Sequence, residues 1–154
     1  MHPQLSVNSH KILYETDFYL WLSVTAQLLH QGDFTAIDID SLIEEIEGMA
    51  RKEKQALKSN LRILLMHLLK WQYQAEKQTN SWRFTIREHR KRIIDLLKDS
   101  PSLKPYYLDI FAESYQDARE LAADETDLSL DTFSVNSPFT PEEALSEDYL
   151  PNFL

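Results

Sequence analysis

From Ser41 to Tyr73 no proline interrupts the chain, and Gly48 is its only glycine. Apolar side chains recur through this stretch at helical spacing. Ile43, Ile46, Ala50, Leu57, Leu61, Leu64, Leu65, Leu68 and Trp71 fall on one arc. The pattern predicts one helix of thirty-odd residues, or two collinear ones, where helices in globular proteins average about 11–12 residues. Asp38, Asp40 and Ser41 all offer N-caps, and Ser41 with Glu44 three residues later makes a capping box. A helix of that length is expected to project past its neighbours or to bend near Gly48. Its apolar arc then needs a partner, and a second copy of the chain is one such partner.

Shorter elements flank the long one. Phe18, Leu22, Ala26 and Leu29 repeat at helical spacing, with Trp21 and Leu28 widening the stripe. They predict a helix from about Tyr14, capped by Thr16 or Asp17 and ended at Gly32, where a left-handed turn is easiest. A polar loop is expected over 74–80, then a helix from Trp82 to about Lys98 capped by Asn80 or Ser81. Its inner face is Trp82, Ile86, His89, Ile93 and Leu97. Pro101 or Pro105 opens the next helix, because proline suits the first helical turn. That helix carries Leu108, Phe111, Tyr115, Ala118 and Leu121 and runs to about Glu125. An extended connector leads to a short helix at Thr140–Glu143, where Thr140, Pro141 and Glu143 form a capping box. The architecture expected is all-α: a bundle of four main helices with a long second helix, and a short C-terminal helix on a wrapping tail. Its divisions are a loose lead-in over 1–13, a bundle domain over 14–127 and a packing tail over 128–154.

Composition removes whole classes of function. Only Gly32 and Gly48 are present, so no glycine-rich phosphate loop can form. Cysteine is absent, which rules out disulfides, thiol catalysis and cysteine-bound zinc, and suits a reducing cytoplasm. No signal-peptide pattern opens the sequence, and no apolar run approaches the roughly 20 residues of a membrane span. A soluble, cytoplasmic protein without cofactors is expected.

Charge is partitioned along the chain. Residues 1–50 hold one Lys against eight acids, net −7; residues 51–98 hold thirteen basic residues against four acids, net +9. Residues 99–154 hold two against thirteen, net −11. A basic middle between acidic ends is either an anion-binding face or a face covered by the acidic segments. The second alternative is favoured, because the overall charge of −9 repels nucleic acid.

The chemically loaded residues lie in that basic middle. Arg83, Arg87, Arg90 and Lys91 make a stripe on the predicted third helix, flanked by Trp82 and Phe84, which is how phosphate backbones and stacked bases are held. The bland alternative is a solvated face, or one paired with the acidic tail. Arg62 and His67 form an Arg-x4-His pair that resembles the signature of helical nucleotide-binding-type ribonucleases, where such residues orient and protonate a phosphate. Five residues apart on a helix, they do not share a face. His67 and His89 are candidate metal ligands, but neither has the Glu three residues earlier that bundle metal sites use. Each is otherwise a boundary or seam histidine. Trp71 and Tyr73 read as core.

Five ordered blocks carry a resemblance: YETDFYLWL, DSLIEEIEGMARKEKQAL, LLMHLLKWQYQ, SWRFTIREHRKRI and DSPSLK. Ala118-Arg119, the run Ala122–Thr126 and Leu150-Pro151 continue it. Together they resemble, over about residues 13–151, the family called domain of unknown function twenty-nine, which is frequent in cyanobacteria. The resemblance implies an all-helical domain spanning the chain and supplies no catalytic residues to transfer. His67, Lys70, Trp71 and Trp82 fall inside its blocks. The leading expectation for function is a helical module that binds a protein partner or itself. RNA or DNA binding through the basic stripe comes second, and a metal-independent ribonuclease using Arg62 and His67 third.

Overall fold

The computed structural model describes residues 6–154, and the first five residues of the expected lead-in lie outside them. Among the described residues the architecture is all-α: α1 (Val7–Thr16), α2 (Phe18–Gln31), α3 (Ile39–Tyr73), α4 (Asn80–Asp99), α5 (Lys104–Thr126) and α6 (Pro141–Leu145), joined by four short 3-10 turns. No helix among these residues is long and apolar enough to cross a membrane. The chain divides into two compact units, Met1–Arg51 and Lys52–Leu154. The 35-residue α3 supplies its first turns to one and the remainder to the other.

The N-terminal unit corrects the sequence reading at its start. Residues 7–13 are helical rather than loose, because the Ser6 hydroxyl caps α1 by accepting from the Ser9 amide at 3.2 Å. The helix expected from about Tyr14 begins at Phe18 as α2, capped by Asp17, one of the two caps expected, whose carboxylate accepts from the Leu20 amide at 3.1 Å. The additional helix α1 makes the long helix the third rather than the second. Gly32 ends α2 at φ +72, with its own amide and that of Asp33 closing onto the Leu29 and Leu28 carbonyls. Trp21 is the centre of the small core, with the Tyr14 ring 4.7 Å away and the Phe18 ring 5.9 Å away. His10 is buried, with Nδ1 2.6 Å from the Ala36 carbonyl, and the Tyr14 hydroxyl donates to Glu45 at 2.9 Å. The cap of α3 is Asp38, accepting from the Ser41 amide at 3.2 Å. Ser41 therefore sits inside the helix and makes no capping box.

The C-terminal unit holds the main core. Leu57, Leu61, Leu64, Leu65 and Leu68 of α3 are fully buried, against Ile86 and Ile93 of α4 and against Tyr107, Ile110, Phe111, Tyr115, Ala118 and Ala122 of α5. The inner arc of α5 begins with Tyr107; Leu108, expected inside, is largely exposed. Thr79 rather than Asn80 or Ser81 caps α4. The tail packs on this unit. Phe133, Phe139 and Ala144 bury themselves, and Tyr107 and Tyr115 donate hydrogen bonds to the Pro141 and Ser134 carbonyls. At α6 the capping box is complete, with Thr140 and Glu143 exchanging two bonds of 3.0 Å.

Candidate functional site

The expected basic stripe on α4 is split by its own helical phase. Arg90 lies four residues after Ile86 and three before Ile93, so it shares their buried face and is 3% exposed. Its guanidinium donates to three tail carbonyls: Ala144 at 2.8 Å, Glu147 at 3.0 Å and Tyr149 at 2.8 Å. Arg90 is thus a clamp on the tail, and burial lowers its pKa from the usual arginine range. Arg83, Arg87 and Lys91 remain exposed. A cleft of about 320 Å³ runs beside them, lined by Arg87, Arg90, Lys91, Ile94, Glu147 and Asp148. The acidic tail therefore covers part of the basic helix. It does so mainly through main-chain carbonyls, because the ion pairs of α4 are internal: Arg92 with Glu88 at 3.1 Å and Lys91 with Asp95 at 3.9 Å.

The two histidines among the remaining sequence candidates have different hydrogen-bond partners. His67 is half-buried on α3 and its Nδ1 lies 3.1 Å from the Ile63 carbonyl, a bond in which the ring nitrogen donates. Burial is the main cause holding its pKa below the usual value, with Lys70 nearby adding to it. His89 pairs instead with Asn60, at 2.8 Å between Nδ1 and Oδ1, and burial lowers its pKa as well. The Asn60 amide nitrogen is committed to the Ala56 carbonyl, so its oxygen faces the imidazole. Arg62 turns its Nε into the protein, where it has no hydrogen-bond partner. No hydrogen bond joins Arg62 to His67 among the described residues. Nor is there a group of three or more His, Asp or Glu able to hold a metal ion.

Sequence reasoning passed over a cluster where α3 and α4 meet. Lys70, only 8% exposed, lies over the Trp82 ring at 4.6 Å and reaches Glu125 at 3.7 Å. Arg83 lies over Trp71 at 5.5 Å. These contacts use two cations and two aromatic faces on each other, and such pairs contribute about 0.5–2 kcal/mol each. The face of Trp71 is therefore occupied by Arg83.

The surface with the most unspent binding capacity is in the N-terminal unit. Among the described residues, twelve of the eighteen large apolar side chains left exposed belong to it, against two buried ones, Trp21 and Ile37. On α2 they include Phe18, Leu22 and Leu29. On α3 they are Ile39, Ile43 and Ile46, 47–54% exposed, with the exposed Ala50 next in line. Successive gaps of four, three and four residues put these four on one stripe. In the C-terminal unit Leu57, Leu61, Leu64 and Leu68 continue the same stripe at 0% exposure. One side of its open part is edged by Asp40 and Glu47, with Glu44 further round behind them, all exposed and all without an ion-pair partner among the described residues. The other side is edged by Met49, which is 54% exposed.

A family model described as Domain of unknown function DUF29 matches residues 13–150. No curated protein matches the chain. No solved structure matches it.

Proposed function

The chain belongs to the DUF29 family, whose description assigns no activity, and from the chain's own geometry we propose that it is a helical docking module for another protein chain. The observation that carries this reading is the open part of the α3 stripe. The same row of side chains that forms the core between residues 57 and 68 is about half exposed between residues 39 and 46. Full burial of an Ile side chain contributes about 1.5–3 kcal/mol, so three half-exposed isoleucines leave several kcal/mol for a partner to collect. Contiguous apolar surface with a polar edge is the ordinary mark of a protein interface. The cytoplasm is the compartment that suits a cysteine-free chain.

The test separates docking from folding. Each of Ile39→Gln, Ile43→Gln and Ile46→Gln made singly is expected to lower the free energy of unfolding by about 1 kcal/mol, since only half of each side chain is buried. Leu64→Gln, at a fully buried position, is expected to lose at least about 3 kcal/mol. A single variant as damaged as Leu64→Gln would mean that these isoleucines serve the chain's own core, and the docking reading would fail.

A second reading keeps one observation in its favour: Arg83 and Arg87 are exposed and free of ion pairs among the described residues. With Arg90 committed to the tail, a nucleic-acid face retains Arg83, Arg87 and Lys91. Anisotropy of a labelled single-stranded RNA at low and near-physiological salt tests it, since phosphate contacts weaken steeply as salt rises. The ribonuclease reading through Arg62 and His67 stands on sequence spacing alone, and RNA run on a denaturing gel after incubation tests it.

A further inference from the structure

We infer that the occupant of the open α3 stripe is an amphipathic helix of a different protein, carrying Lys or Arg along one edge of its apolar seam. The inference rests on the docking reading above and adds the identity of what docks.

The spacing of the stripe calls for a helix. Ile39, Ile43, Ile46 and Ala50 alternate steps of four and three, the repeat that lets side chains of one helix fit between those of another. The open row runs over twelve residues, Ile39 to Ala50, whose ends are about 17 Å apart along the helix axis at 1.5 Å per residue, or three turns. A partner helix of similar length covers it. β-Branched isoleucine with few accessible rotamers suits such a seam, because little side-chain freedom is lost on docking.

The edge of the stripe specifies charge. Asp40 and Glu47 lie along one side with Glu44 further round behind them, and Met49 with the half-buried Leu42 along the other. Across a two-helix seam the edge positions face the partner's edge positions, and oppositely charged residues there select partner and orientation. None of the three acids is in an ion pair among the described residues. The facing edge therefore calls for lysine or arginine.

A second copy does not supply it. Aligned antiparallel over the same row, two copies put these acids against each other. Aligned parallel, they put the acids against Leu42 and Met49. Sliding an antiparallel copy until its Arg51, Lys52 and Lys54 meet the acids brings Glu53 onto the seam opposite Ile43. The next seam residue, Leu57, is by then already buried in the chain's own core. The net −7 of residues 1–50 adds repulsion in every alignment.

The experiment uses the full chain and two labelled synthetic helices of about 18 residues, with the same leucine and isoleucine seam. One is edged with lysine and the other with glutamate. Anisotropy is read at about 0.05 M and about 0.3 M salt, where the screening length falls by more than half, and light scattering gives the mass of the free chain. The lysine-edged helix is expected to bind about ten-fold more tightly than the glutamate-edged one at low salt, with the margin shrinking at high salt. Asp40→Asn/Glu44→Gln/Glu47→Gln should erase the margin, and Ile43→Gln/Ile46→Gln should abolish binding of both. Equal affinity for the two helices would overturn the charge selection while leaving the docking reading intact. A dimer that Ile43→Gln/Ile46→Gln dissociates would make a second copy the occupant and overturn the inference in a different way. A monomer that binds neither helix would remove the docking reading itself.

Discussion

Truncating Arg90 should loosen the tail more than any surface charge change on the same helix. Each of its three bonds is a charged donor meeting a main-chain carbonyl, a class worth about 1.5–3 kcal/mol apiece. The gross figure, about 4.5–9 kcal/mol, is an upper bound, because carbonyls freed by truncation regain water once residues 144–149 lift away. A buried carbonyl left without its donor costs about 1–3 kcal/mol, so with water reaching part of the freed set the expected cost of Arg90→Ala is about 3–5 kcal/mol. For a chain of this size each kcal/mol moves the midpoint of thermal unfolding by about 2–4 °C, so a fall of roughly 6–20 °C follows. Urea unfolding followed by helical circular dichroism measures the free energy, and limited proteolysis within residues 128–154 reports the tail. Arg87→Ala, exposed one turn earlier, should stay within about 0.5 kcal/mol of the parent. Arg90→Lys should fall between the two, since a single ammonium lacks the planar fork that reaches three carbonyls at once. If Arg90→Ala and Arg87→Ala unfold at the same urea concentration with equal tail protection, the clamp is refuted.

Two further outcomes follow from the geometry. Burial holds the His67 pKa below its ordinary value, so the unfolded chain takes up a proton at higher pH than the folded one. Stability contributed by the neutral imidazole is complete above about pH 6.5 and declines as pH falls from there toward the folded pKa, by at most about 1.4 kcal/mol per pH unit. His67→Gln should flatten that part of the stability–pH profile measured by urea titration; an unchanged slope would show that His67 does not contribute to it. At Gly32, φ is +72 and a methyl group would meet nothing within 4 Å. The cost of Gly32→Ala is therefore confined to the backbone, about 1–2 kcal/mol, and a thermal midpoint equal to the parent's would count against the left-handed turn.

The main helix and its core were legible because Leu57, Leu61, Leu64, Leu65 and Leu68 repeat at a period that only a helix satisfies. The short C-terminal helix was legible for a different reason, since Thr140, Pro141 and Glu143 carry a self-contained local code. What escaped depends on contacts distant in sequence or on choices between neighbours. The start of α1 has no apolar period; Ser6 caps it locally, and His10 is fixed only by Ala36, 26 residues further on. At the starts of α3 and α4, several residues can cap, and sequence spacing does not choose among Asp38, Asp40 and Ser41. The candidate site was misread in one respect. Arg90 was grouped by its charge with Arg83, Arg87 and Lys91, although its spacing from Ile86 and Ile93 already placed it on the inner face. The open stripe was visible as an apolar arc, and an uncovered portion was expected, but no role was expected for the acids along its edge.

The clamp on the tail also sets an order of events in synthesis. Arg90 is made 54 residues before the first of its acceptors, Ala144, and 59 before the last, Tyr149. At about 5–20 residues per second, the interval is roughly 3–12 s. During it, the guanidinium has no tail carbonyls to meet, and the core face later covered by Phe133, Phe139 and Ala144 is bare. Because α5 is complete only at Thr126, the stage in which α3, α4 and α5 are made but their lid is not covers the last part of that interval, roughly 1–5 s. For those seconds this face is the stretch that a ribosome-associated chaperone, or a neighbouring nascent copy, would meet first.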